Sequence, residues 1–366
     1  MWETYFRQYK DTVLPFWLDK QKWNYKDDII MDGYDDLAAA TGDNTWRDAI
    51  FSSSRFLMLP DGTVVNLCPE SRNIDKISFG KTLILLRNLT GDPRYVKAVE
   101  KVYSMLSDYP RTKEGNFWHK DIYPEQVWLD GLYMGQPFYA QCIVDFSDFE
   151  KWEDVFSQFS SAHSLLWDEN RGLYVHANDT SRKEEWCDKA TGKSRCVWLR
   201  AEGWYLMALV DVYEIARRCT PLSSVLKDIL SSAVDPLLSY LDEESNMLLQ
   251  LVDMKSEKGN YPETSGSAMV AYALMKGERL GMLEKGYGDK GEKILEGIRR
   301  TYLKNEDGTL HLYGICASAG LGPGPDNRSD RDGTPRYYLS EKQGTDNQHG
   351  AAACMMAYSE LLRRRK

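Results

Sequence analysis

Residues 110–138 read PRTKEGNFWHKDIYPEQVWLDGLYMGQPF, and they hold, in order, a turn, a short strand and the start of a helix. Gly115 gives the turn a residue that tolerates positive φ. Phe117 and Trp118 form an apolar strand that ends in His119. From Asp130 to Val144 the chain is apolar nearly all round, as a buried helix must be. Upstream, residues 92–109 set Val96, Val99, Val102, Tyr103 and Leu106 on one face at spacings of three and four, behind a Thr90-Gly91-Asp92-Pro93 start that supplies a cap and an early proline. The unit is therefore an amphipathic outer helix, an acidic turn with a strand, and a buried inner helix.

The same order recurs around LPDGTVVN (59–66), WDENRGLYVH (167–176), LDEESNMLLQ (241–250) and KNEDGTLHL (304–312). Aligned on Gly62, Gly115, Gly172, Asn246 and Gly308, the turns are spaced 53, 57, 74 and 62 residues apart. The inner helices fall at 75–89, 130–144, 199–216, 263–280 and 346–363, and GEKILEGIRRTYL (291–303) is the outer helix before the fifth turn. MDGYDDLAAATGD (31–43) supplies parts of a sixth unit. Helix pairs of this length predict an all-α fold, an (α/α)6 barrel with short β-hairpins at one mouth, with 1–366 as one domain. An open superhelix is the competitor, but its repeats are usually about 34–47 residues.

Each unit delivers two groups to the same mouth. Four residues past the turn stand Asn66, His119, His176, Gln250 and Leu312; at the inner-helix starts stand Asp75, Asp130, Arg200, Glu263 and Asp346. Asp75, Glu263 and Asp346 equally suit helix caps or first-turn acids. Asp130 differs, because its neighbours are Trp128, Leu132, Tyr133, Met134 and Phe138. Apolar surroundings and a second carboxylate, Asp75, raise the pKa of an acid toward the range useful for proton donation, while a helix start lowers it.

With 46 basic against 55 acidic residues the chain carries −9 and lacks the basic footprint of nucleic-acid binding. Seven cysteines show no metal-ligand spacing, although Cys187 and Cys196 flank a polar loop and could pair in an oxidising compartment. No signal peptide and no long apolar run appear, so a cytoplasmic or, for a trimmed chain, periplasmic protein with no membrane span is expected, as monomer or dimer.

The stretches 110–138, GLYVHAND (172–179), VWLRAEGW (197–204), NYPETSGSAMVAYALMKG (260–277) and GTDNQHGAA (344–352) resemble the unsaturated rhamnogalacturonyl hydrolases of glycoside hydrolase family 105. They are similar also to the related unsaturated glucuronyl hydrolases. The resemblance implies the (α/α)6 fold, no cofactor or metal, and an oligosaccharide substrate whose non-reducing uronic acid carries a C4=C5 double bond left by a lyase. It casts Asp130 as the acid that also activates water, with Asp75, His119 and His176 around it. Trp198, Arg200 and Trp204 match the family's W-x-R-x-x-G-W segment, with Arg200 suited to the uronate carboxylate, and Trp128, Tyr133 and Met134 join the substrate-binding set. Two departures stand out: Ala201-Glu202 where the family has Gly after the Arg, which would narrow the side of the second sugar, and His349 in the closing motif. A sugar isomerase or 2-epimerase on the same toroid and a non-catalytic carbohydrate-binding protein are the alternatives.

Overall fold

All five turn residues adopt the left-handed backbone that their alignment demands. The four glycines have φ between 65° and 94°, and Asn246, the exception in residue type, has φ 57°. Four of the turns close β-pairings: β2 (Trp167–Asp168) with β3 (Leu173–Tyr174) at Gly172, the strands around Gly308, and single bridges between Met58 and Val64 at Gly62 and between Arg111 and Phe117 at Gly115. The computed structural model describes residues 1–18, 23–65, 67, 68, 70–322 and 328–366, with side chains omitted for 13–18. Asn66 lies outside the described residues.

Among the described residues the helices alternate between an outer and an inner layer. The outer helices are α1 (Trp2–Leu18), α3 (Thr45–Ser54), α5 (Pro93–Ser104), α7 (Trp152–Leu166), α9 (Ser224–Leu238) and α11 (Tyr287–Tyr302); the inner ones are α2 (Tyr25–Thr41), α4 (Phe79–Thr90), α6 (Leu129–Phe146), α8 (Leu199–Ala216), α10 (Thr264–Arg279) and α13 (Gln348–Arg364). A short α12 (Pro335–Ser340) interrupts the last connection. Each inner helix packs on the next, and α13 returns to α2, so the ring closes. Burial follows the layers. α8 and α10 are enclosed along most of their length, whereas α5 buries Tyr95, Ala98, Val99 and Val102 and exposes the opposite face.

The sixth unit is the hairpin of α1 and α2, and the stretch 31–43 runs through the second half of α2 and its exit turn. Three boundaries differ from the sequence expectation by more than two residues, one being α11, which starts at Tyr287 rather than 291. α5 ends at Ser104 and gives way to turns, although its apolar spacing continues to Leu106. The fourth helix starts at Phe79 rather than 75, because Asn73 caps a separate 3-10 turn (Ile74–Lys76) that carries Asp75.

The remaining strands lie at the mouth: β1 (Gln126–Trp128) pairs with β4 (Ala177–Asp179), β5 (Leu303–Glu306) with β6 (Thr309–Leu312), and β7 (Ile315–Cys316) with β8 (Gln343–Gly344). A repeating backbone bond ties the units there. Ile74 N–H donates to His119 O (3.1 Å), Leu129 N–H to His176 O (3.2 Å) and Leu199 N–H to Gln250 O (3.1 Å). The donors immediately precede Asp75, Asp130 and Arg200. Each inner-helix charge is thereby set beside the strand-end residue of the following unit.

Candidate active site

That register produces the pairs Asp75–His119 and Asp130–His176. His119 Nε2 lies 3.7 Å from Asp75 Oδ1, and His176 Nε2 lies 3.3 Å from Asp130 Oδ2. The two pairs belong to adjacent units, and Trp128 packs between their imidazoles: parallel to His119 at 4.7 Å and edge-on to His176 at 5.1 Å. Tyr123 stacks on the same indole at 4.9 Å. The apolar surroundings that the sequence gives Asp130 are thus tertiary as well as local.

Asp75, His119, Trp128, Asp130 and Met134 line a cavity of about 280 Å³ at the mouth, joined by Tyr25, Lys26 and Lys120. A larger groove of about 700 Å³ lies on the outer wall, between Trp2, α11 and α13, and holds no histidine. We place the chemistry in the smaller cavity. In its wall and directly beneath it are buried polar atoms with no aligned partner among the described residues: His119 Nδ1 and Asp130 Oδ2 in the wall, and His176 Nε2 behind Asp130. Buried polar atoms are normally satisfied, so such a cluster marks where a ligand binds.

The electrostatics differ from the sequence expectation. Burial pushes the Asp130 carboxyl up, but contact with His176, the His119 imidazole and its own backbone amide outweigh it and hold Asp130 below the usual carboxylate range. Burial likewise opposes the ionised form of Asp75, yet Lys120, whose Nζ lies 2.7 Å from Oδ2, and His119 keep its pKa low. His119 itself is pushed down to about 4 by burial, so it is neutral at pH 7. What holds Asp130 at neutral pH is therefore chiefly His176. The other ring nitrogen of His176, Nδ1, is 2.7 Å from the Tyr338 hydroxyl, whose pKa burial raises well above 10.0. A hydroxyl donating to Nδ1 leaves the proton on Nε2, facing the carboxylate.

With this geometry in hand, the similarities to known proteins acquire a location. The sequence model of Glycosyl Hydrolase Family 88 matches residues 1–365. The chain belongs to that family. A solved glycoside hydrolase of family 105 from C. acetobutylicum ATCC 824 is 37% identical, covers 93% of both chains and superposes with a TM-score of 0.88. Protein Atu3128 of Agrobacterium fabrum is 39% identical over 236 residues, which is 63% of this chain and 98% of that one. The unsaturated rhamnogalacturonyl hydrolase YesR of Bacillus subtilis is 29% identical over 217 residues, 57% of this chain and 59% of YesR. The protein is a glycosidase on the six-hairpin toroid of the family 88 and 105 enzymes, and the isomerase and binding-module alternatives give way to that membership.

Within this family 88/105 hydrolase, the other residues of the sequence motif lie behind or below the cavity wall. His176 is 0% exposed, under Asp130. Trp198 packs on it at 4.7 Å, and the Arg200 guanidinium sits 4.7 Å from the Trp198 ring centre. Arg200 is 1% exposed and its Nη1 donates to Ser265 Oγ (3.1 Å) and Cys316 O (2.5 Å). The expected bidentate fork toward a uronate is thus committed on one prong to the protein. Glu202 is no partner of Arg200 and does not narrow the cavity; it accepts from Tyr174 N–H (2.7 Å) in the core, where burial pushes it up to about 8.

Tyr133 and Trp204 depart furthest from expectation. They stack on each other at 4.7 Å, and Tyr133 lines a separate cavity of about 290 Å³ at the opposite end of the barrel, with Lys81 4.4 Å over its ring. Met134, one turn past Asp130, lines the same cavity, while Tyr133 is drawn away by its packing on Trp204 of α8 and Lys81 of α4. Cys187 and Cys196 are unpaired, the first thiol donating to Glu184 O (3.1 Å) and the second to Gly333 O (3.4 Å).

Several functional residues were missed from sequence. Lys120 adjoins His119, but its pairing with Asp75 depends on the bridge between Asn73 and Lys120. Tyr338 lies on α12, outside the repeat. Tyr25 and Lys26 open α2, whose unit has no acidic turn to align it. His349 finds its reason here: its Nδ1 faces Asn347 Oδ1 (2.8 Å), so Nε2 accepts from the Tyr25 hydroxyl (2.9 Å), and the Tyr25 oxygen is left to accept from a ligand.

Proposed function

We propose that this glycosidase removes a 4,5-unsaturated uronic acid from the non-reducing end of lyase-generated oligosaccharides of the rhamnogalacturonan or pectin type, by hydrating the enol ether. Asp130 protonates C4. Water then adds to C5 as the Asp130 carboxylate takes up one of its protons, so the group ends as it began. The C5 hemiketal opens, and the hemiacetal left at C1 releases the neighbouring sugar. The observation that carries this reading is the enclosed Asp130 carboxylate, 3.3 Å from an imidazole nitrogen that has no other partner among the described residues, beside the second acid–imidazole pair. The YesR name supports the substrate class.

An ionised resting Asp130 is compatible with its role as an acid. A uronate brings a like charge next to the carboxylate and displaces water, and both effects raise its pKa. His176 accommodates the protonated form by moving its proton to Nδ1, where the Tyr338 oxygen accepts, and offering Nε2 to the acid. Neutral His119 and the Tyr25 oxygen are placed to hydrogen-bond ring hydroxyls. Incubation with the unsaturated disaccharide from a rhamnogalacturonan lyase digest, followed by the ultraviolet absorbance of the double bond, tests the proposal. The wild type consumes that absorbance and Asp130→Asn, which still binds, leaves it at least about a hundredfold more slowly changed. A variant with full turnover refutes the assignment.

A further inference from the structure

We propose that Lys26 captures the uronate carboxylate, the role that the sequence motif gave to Arg200. The inference rests on the unsaturated-uronate reading and adds the residue that reads the substrate's charge. Lys26 is the second residue of α2, as Asp130 is of α6 and Arg200 of α8. The sixth unit, which lacks the marker turn, thus presents its charge at the same register as the two it resembles, and the side chain lines the Asp130 cavity.

Lys26 forms no ion pair among the described residues, and the acids around it are engaged elsewhere. Asp27 accepts from Asn24 N–H (2.9 Å) and from Gln348 Nε2 (2.7 Å). Asp75 is held by Lys120 and Asp130 faces His176. A cation in the first turn of a helix opposes the macrodipole. Burial and the nearby Arg200 charge also act against it, and the Lys26 ammonium is held below the usual lysine range. A bound carboxylate relieves all three at once. Lys26, with buried Arg200 near it, therefore shares the cavity with Asp75 and Asp130; of the other cations in its lining, Lys120 is spent on Asp75 and Arg331 stands beside Ser318. A uronate lying with its carboxylate toward Lys26 has its double bond toward the acids.

The test measures calorimetric binding in the Asp130→Asn background, with two probes: the unsaturated disaccharide from the lyase digest and its C6 methyl ester, which has the same shape without the charge. Adding Lys26→Met weakens binding of the free acid by about ten- to a hundredfold, the range for one charge-assisted contact, and leaves the ester unchanged. Lys26→Arg restores most of the loss, which separates lost charge from lost folding. The proposal is overturned if Lys26→Met weakens acid and ester alike, if it alters neither, or if only Arg200→Met gives the acid-selective loss. Absence of binding in the Asp130→Asn background overturns it too. Wild-type consumption of the double bond is scored separately, so a failed substrate reading is told apart from a failed lysine.

Discussion

Asp130 illustrates what one residue's neighbours in sequence do and do not reveal. Its aromatic flanks were legible and mark it as enclosed, but the group that decides its charge, His176, arrives from the following unit through the bond between Leu129 and His176. Enclosure alone predicts a raised pKa; the imidazole reverses the sign. Tyr338 sets that imidazole's tautomer, and it has no sequence signal because it stands on α12, outside the repeat. The geometry makes it a positioning residue. Tyr338→Phe removes the donor to Nδ1, lets the proton leave Nε2, and so weakens the hold on ionised Asp130. The acid's pKa then rises, and the alkaline limb of the kcat profile, along which the protonated acid is lost, moves to higher pH. A lower kcat with an unmoved limb means that Tyr338 serves packing alone.

At the scale of elements, the turns were the most legible part of the chain, since a left-handed residue has a chemical signature. Gly115 has φ 94°, and a Cβ built on it meets nothing within 4 Å. Gly115→Ala therefore costs only the backbone strain, about 1–2 kcal/mol, read as a lower urea midpoint at unchanged slope. A larger loss means that the turn holds more than its own conformation. Helix starts were legible for α6, α8 and α10, where a charged residue meets a long apolar run. The beginning of α4 was not, because Asn73 offers a competing local cap whose success depends on the strand contact to Lys120. The same limitation hid Lys26: α2 has a capping box at Asn24 and Asp27, but the alignment was anchored on a turn that this unit lacks.

The closed ring was inferred from repeat length, yet its closure depends on contacts between distant ends of the chain that no local pattern records. α13 is fastened to both neighbours through Glu360, which is fully buried. It accepts from Arg279 of α10 at 2.7 and 2.9 Å and from Arg363 at 2.6 Å, and Arg363 reaches Asp36 of α2 at 2.6 Å. Glu360→Gln keeps the shape but leaves two arginines short of charge, at a cost of about 3 kcal/mol. Urea denaturation checks this, and a change below about 0.5 kcal/mol shows that the packing of α2 on α13 closes the ring unaided. Between the two ends of the barrel lies the Tyr133–Trp204 stack: Tyr133 faces the far cavity, and Trp204 approaches His349, which holds Tyr25 of the near one. A blind chamber of this kind admits a polymer only by its tip. Threading through is blocked, so on the proposed reading only an unsaturated tip left by a lyase is admitted, one unit is removed for each such cut, and both products leave by the opening they entered.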